Sequence, residues 1–147
     1  MNINEIQHRD EVLRAYFQGR DWDKNEEYLL KRKLILDSDQ LLPEYQYVIE
    51  DEWEVESGRA DQGCGDLVFT DGSGHFAVVE VKWIDLKSSG DTASNKRTKK
   101  RKAVKEQAII YAEIYEQKLS SINPSTVKKI EAYVYTNEDK KPQIQGR

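Results

Sequence analysis

The sequence predicts one α/β domain of 147 residues, a central mixed sheet flanked by helices. Three observations carry this reading. "DGSG" (Asp71–Gly74) between two β-branched runs is a hairpin signal. The second of those runs, "HFAVVEVKW", is apolar at both alternations, so helices should cover both faces of the sheet. A helix-period stretch then leads to one more strand-like run, the pattern of a crossover to a returning strand.

Taken in order, "NEIQHRDEVLRAYFQGR" places apolar residues at helical spacing. "DWDKNEEYLLKRKLIL" follows as a second helix, with Asp23 as N-cap and acidic residues in the first turn, and Pro43 closes the region. "YQYVIEDEWEV" (45–55) alternates and is rich in aromatic and β-branched residues, so it is expected as a strand. Residues 58–65 read as turn, and 66–70 and 75–83 as the hairpin strands. The Ser-, Thr- and Lys-rich segment 88–102 is expected as a mobile basic loop. A helix over 103–119, Pro124, a last strand "KKIEAYVYT" and a frayed tail over 137–147 complete the chain. The core order is αβββαβ, over residues 20–136.

Composition limits the chemistry. With 34% charged residues and only short apolar runs, no bilayer span is expected. The N-terminus lacks the basic-then-apolar profile of a signal peptide, and the single cysteine fits a reducing compartment, so an intracellular protein, cytoplasmic or nuclear, is expected. Two histidines and one cysteine leave little for a nitrogen–sulfur metal site, so any metal should be held by oxygen. The net charge of −4 conceals an asymmetry: Lys87 to Lys105 holds eight basic residues and one acidic, a local +7 that leaves −11 elsewhere. A polyanion would meet one attractive patch on a repelling body. Lys96, Arg97, Lys99, Lys100, Arg101, Lys102 and Lys105 are therefore candidate nucleic-acid contacts, although a solvated loop or a nuclear import signal has the same composition.

The hairpin focuses the chemistry further. If it turns about Ser73, facing residues sum to 146, so Val68 meets Val78 and Asp66 meets Glu80. Facing Cβ atoms lie about 4.5–5.5 Å apart. Lys82 sits one strand repeat beyond Glu80, on the same face, about 6.5–7 Å on. Two facing carboxylates in a desolvated sheet repel, and one would normally take up a proton. A divalent cation removes that penalty, and Mg²⁺ suits a site of one or two carboxylates that keeps water for a phosphate. A lysine beside such a site can orient a water or offset developing charge. The plainer alternative is an ion pair between Glu80 and Lys82.

Asp66, the step to Glu80, and Glu80-Val81-Lys82 resemble the signature of the PD-(D/E)xK nuclease superfamily, with "GCGD" before the first strand and "VVEVK" in the second. The αβββαβ order is similar to that family's restriction-endonuclease-like core. The resemblance implies that Asp66, Glu80 and the Val81 carbonyl hold Mg²⁺ or Mn²⁺ and that Lys82 acts on the attacking water. Gly65 stands where the signature has proline. "QAIIY", with Gln107 and Tyr111, is similar to the QxxxY motif of RecB-like and lambda-exonuclease-like members; both residues lie on a stripe with Val104, Ala108 and Tyr115 that should face the sheet. Many members add a carboxylate from the first core helix. Glu26 and Glu27 are both available, and Glu27, in line with Leu30 and Leu34, is the better placed. Arg59 could reach a phosphate or simply close its turn.

The expectation is a divalent-metal-dependent nuclease acting on DNA rather than RNA, endonuclease or exonuclease, with a homodimer or ring as the candidate assembly. The alternative is a silent nucleic-acid-binding module or a subunit of a repair or restriction assembly. No aromatic stacking motif is evident in the sequence.

Overall fold

The computed structural model describes residues 1–146. Two helices come first: α1, Ile3–Gly19, and α2, Glu26–Leu36, followed by a single helical turn, α3, Ser38–Leu41. Asn2 caps α1 by accepting from the Glu5 N–H at 2.9 Å, and Asn25 caps α2 by accepting from the Tyr28 N–H at 3.0 Å. Asp23, expected as the α2 cap, instead accepts from the Asn25 N–H and so fixes the cap itself.

Five strands follow: β1, Tyr47–Glu56; β2, Arg59–Thr70; β3, His75–Lys82; β4, Lys129–Thr136; and β5, Gln143–Gln145. They form one sheet in the order β1-β2-β3-β4-β5, with β3 and β4 parallel and the other neighbours antiparallel. Helix α4, Asp91–Ile122, makes the crossover between the parallel pair, and a 3-10 turn at Pro124–Thr126 leads into β4. The hairpin register is the expected one: Leu67 faces Val79, Val68 faces Val78, Phe69 faces Ala77 and Thr70 faces Phe76.

Side-chain alternation divides the core in two. Leu67, Phe69, Ala77, Val79 and Val81 pack with Phe17, Leu30, Leu34 and Ile35 under α1 and α2. Val68, Phe76, Val78, Ala132 and Val134 pack with Val104, Ala108, Ala112 and Tyr115 of α4. Both faces of β3 are thereby dry, as its unbroken apolar sequence requires.

Three expectations are corrected. The stretch 58–65 is not a turn region; only Gly58, at φ +77°, serves the turn, and β2 begins at Arg59. The tail is not wholly frayed, because β5 pairs with β4 through Ala132, Tyr133 and Val134. The basic segment 88–102 is not a loop: α4 starts at Asp91 and runs for 32 residues. No glycine or proline interrupts it, and lysine, arginine, alanine and glutamine are strong helix formers. Repulsion between like charges a turn apart costs only a few tenths of a kcal/mol per pair, too little to melt it. None of residues 91–103 is buried, so about 18 Å of helix stands clear of the sheet at 1.5 Å per residue.

Candidate active site

The backbone ladder between β2 and β3 ends at Leu67 and Val79. At the next pair the side chains take over its bonds. The Asp66 N–H donates to Glu80 Oε2 at 2.9 Å, and the Val81 N–H donates to Asp66 Oδ2 at 2.8 Å. Each carboxylate thus uses one oxygen to hold the splayed strands, and no donor among the described residues meets the other oxygen of either.

Burial dominates the electrostatics. Glu80 is 3% exposed, and desolvation together with the charge of Asp66 pushes its carboxyl up to about 8. Asp66 is pushed up to about 6, chiefly by burial, against the pull of its Val81 N–H bond. Lys31 favours the ionised form of both, and Glu27 opposes it.

Helix α2 brings two residues here. Glu27 Oε2 accepts from the Trp83 N–H at 3.3 Å and lies 4.0 Å from Lys82 Nζ. Glu26 lines a different hollow, with Leu29, Lys33 and Tyr135, so Glu27 is the helix carboxylate at the site. One turn on, Lys31 is buried and forms an ion pair with Asp51 of β1. Sequence reading missed this pair. Its signal was available only in part: Lys31 follows Glu27 by four residues on one helix face, whereas Asp51 is hidden in the acidic run "EDEWEVE".

Trp53, also missed, lies against the strand that carries Asp66. A Cβ on Gly65 would fall 2.2 Å from Trp53 Cε2, so neither proline nor any other side chain fits there without displacing the indole. Packing against the indole thus accounts for glycine at position 65. Tyr111 meets Trp53 edge to face at 5.8 Å between ring centroids, and its hydroxyl would be 3.0 Å from a Cβ on Gly63. Tyr111 therefore supports the site strand from behind. Gln107 does not join it: the residue is exposed and its amide bonds to no described side chain or carbonyl, so the stripe of α4 facing the sheet is Val104, Ala108, Ala112 and Tyr115. A glutamine at that position is turned toward solvent by the helix phase that buries Val104 and Ala108.

The remaining candidates divide. Arg59 is paired bidentately with Asp61, 3.0 Å to each oxygen, and lies seven residues, or about 23 Å of strand, from Asp66; it closes its hairpin rather than the site. Arg101 is likewise committed, to Glu138 at 2.7–2.8 Å. The Arg97 guanidinium holds the carbonyls of Asp85 and Ser88, fastening the β3–α4 connection to the helix. Lys96, Lys99 and Lys100 border an open hollow of about 580 Å³ together with Ser88 and Ser89. Those three lysines, Lys102 and Lys105 have no carboxylate partner among the described residues. They lead from the C-terminal end of β3, where Lys82 stands.

The donor set suits a hard divalent cation: two desolvated carboxylates, each with an oxygen that meets no donor among the described residues. Among the described residues no group of three or more Asp, Glu, His or Cys converges, so a cation here would draw the rest of its ligands from backbone and water. No helix among the described residues is long and apolar enough to cross a membrane. Comparison with protein-family models, curated proteins and solved structures gave no match to the chain.

Proposed function

We propose that this protein is a divalent-metal-dependent nuclease of the PD-(D/E)xK type, hydrolysing phosphodiester bonds in DNA. The observation that carries the reading is the pair Asp66 and Glu80: two facing carboxylates, pushed up to about 6 and about 8 by burial, on strands that part at that point. A protein gains nothing in stability from such a pair, because each charge there is desolvated and repelled by the other. The strand order, with three antiparallel strands and a parallel β4 reached through α4, supports a restriction-endonuclease-like core.

Asp66, Glu80 and the Val81 carbonyl would hold Mg²⁺ or Mn²⁺, which supplies charge neutralisation at the phosphate and a more acidic water. Lys82, half-exposed beside Glu27, would orient the attacking water and offset charge on the phosphoryl oxygens. Glu27 holds Lys82 in place from α2 and fixes the Trp83 N–H. The water loses a proton to solvent as its oxygen bonds to phosphorus, the bond to the leaving sugar oxygen breaks, and that oxygen takes a proton from solvent. Lys96, Lys99, Lys100, Lys102 and Lys105 hold the phosphate backbone without reading sequence.

The test is cleavage of supercoiled and of linear DNA with Mg²⁺ or Mn²⁺, wild type beside Lys82→Ala and beside chelator. Product from either substrate, lost in both controls, supports the reading. DNA that is bound but never cut replaces it with a binding module.

A further inference from the structure

One surface feature has no part in that chemistry. Between α1 and α2 the chain turns through Arg20, Asp21 and Trp22, and three aromatic rings, one from each helix and one from the turn, gather on one guanidinium. The Arg20 Cζ lies 4.8 Å from the Tyr28 ring centroid, 5.4 Å from that of Trp22 and 5.8 Å from that of Tyr16. The guanidinium is also bonded to the Tyr16 hydroxyl and, at 2.7 Å, to Asp23, while its Nε is buried without a hydrogen-bond partner among the described residues. Tyr28 closes the cluster by donating to the Arg20 carbonyl at 3.0 Å.

An arginine held this firmly is a support. What it supports is Trp22, whose indole is 69% exposed, with Tyr16 47% exposed beside it. Large aromatic surface left in water at a rigid, stacked position is a cost to the free protein unless something covers it. Its place in the fold identifies the occupant. Tyr28 follows Glu27 directly, and Trp22 is five residues from Glu27, at most about 17 Å of chain. The exposed Asp21 beside the rings disfavours phosphate here, so a base face and not the backbone is the matching chemistry.

We propose that Trp22 and Tyr16, propped by Arg20 and Tyr28, form a stacking platform for an unpaired base, so that the protein takes its substrate as a single strand or at a frayed end. The proposal rests on the reading of the adjacent site as acting on nucleic acid and narrows that reading to substrates with exposed bases. A paired base, stacked within its duplex, offers no face to Trp22. Its members come from two helices and the turn between them, so no local motif in the sequence records it.

The test separates binding from cleavage. Fluorescence anisotropy in EDTA, with a labelled oligo-dT and a hairpin duplex of equal length, is measured for wild type, Trp22→Ala and Trp22→Phe. The platform predicts that wild type binds oligo-dT more tightly than the hairpin duplex. Trp22→Ala should weaken oligo-dT binding by roughly 5- to 150-fold, the range for loss of one base stack. Duplex binding should change less than twofold, and Trp22→Phe, which keeps a ring, should retain most of the affinity. Equal oligo-dT affinity for wild type and Trp22→Ala, or no oligo-dT binding by wild type, overturns the proposal. Trp22 is exposed, so both variants should fold, and circular dichroism checks it. Because no metal is present, loss of the platform and failure of the nuclease reading are seen in separate assays: oligo-dT binding that depends on Trp22 without any DNA cleavage leaves the platform standing and removes the enzyme.

Discussion

Replacing Glu80 by glutamine removes a charge while keeping the shape and the oxygen that accepts from the Asp66 N–H. In the folded protein the Glu80 carboxyl is raised from 4.5 to about 8, mainly by burial and then by the charge of Asp66. The folded state therefore holds a proton that the unfolded chain releases near pH 4.5. Stability is fully present below that pH, falls as pH rises, and stops falling above about 8. At 1.36 kcal/mol per pH unit, the Asp66–Glu80 pair removes on the order of 3 kcal/mol between pH 5 and pH 8. Glutamine has no proton to lose. Urea denaturation in EDTA should accordingly show Glu80→Gln gaining on wild type by about 3 kcal/mol across that interval, a shift in midpoint difference of about 1–3 M for slopes of 1–3 kcal/mol/M. Saturating Mg²⁺ at pH 8 should recover stability in wild type and not in the variant, by about 2.7 kcal/mol at a hundred times the dissociation constant. A wild-type stability that is flat from pH 5 to pH 8, or a variant that follows wild type in parallel, would refute the argument that the site is a desolvated carboxylate pair.

Other consequences follow from the same geometry. Lys31→Met leaves the half-buried Asp51 without its cation and should cost about 2–4 kcal/mol in urea denaturation, with Lys31→Met/Asp51→Leu recovering most of it. Gly65→Ala drives a methyl group into the Trp53 indole and should lose about 1–3 kcal/mol, read as a melting temperature lower by several degrees; a neutral result would contradict the close approach. Lys82→Ala should abolish cleavage while changing stability by less than about 1 kcal/mol, because its contact with Glu27 is long and half-exposed. Alanine at Lys96, Lys99 and Lys100 together should lower the slope of log K against log salt for duplex DNA by about 2–3, and an unchanged slope would place the phosphates elsewhere.

How much of this was legible in the sequence depends on the range over which each feature is encoded. The hairpin was, because Asp71–Gly74 sets the turn and the turn sets the register that places Asp66 opposite Glu80. Glu27 was legible as one of two neighbours, since helix phase alone favoured it. The basic segment was misjudged because its charge suggested disorder, whereas its uninterrupted helix formers extend α4 back to Asp91. The Lys31–Asp51 pair, the indole over Gly65 and the rings around Arg20 join residues from separate elements, and no local pattern encodes such meetings. Gln107 shows the reverse error, a motif spacing satisfied in sequence while the side chain faces water.

The central claim is that Asp66 and Glu80 together make a divalent-cation site. Titration of Mn²⁺ followed by electron paramagnetic resonance tests it directly, in wild type, Glu80→Gln and Lys82→Ala. Manganese bound by wild type at pH 8, retained in Lys82→Ala and lost in Glu80→Gln, is the predicted result. Mn²⁺ bound equally by wild type and Glu80→Gln, or by neither, would contradict it.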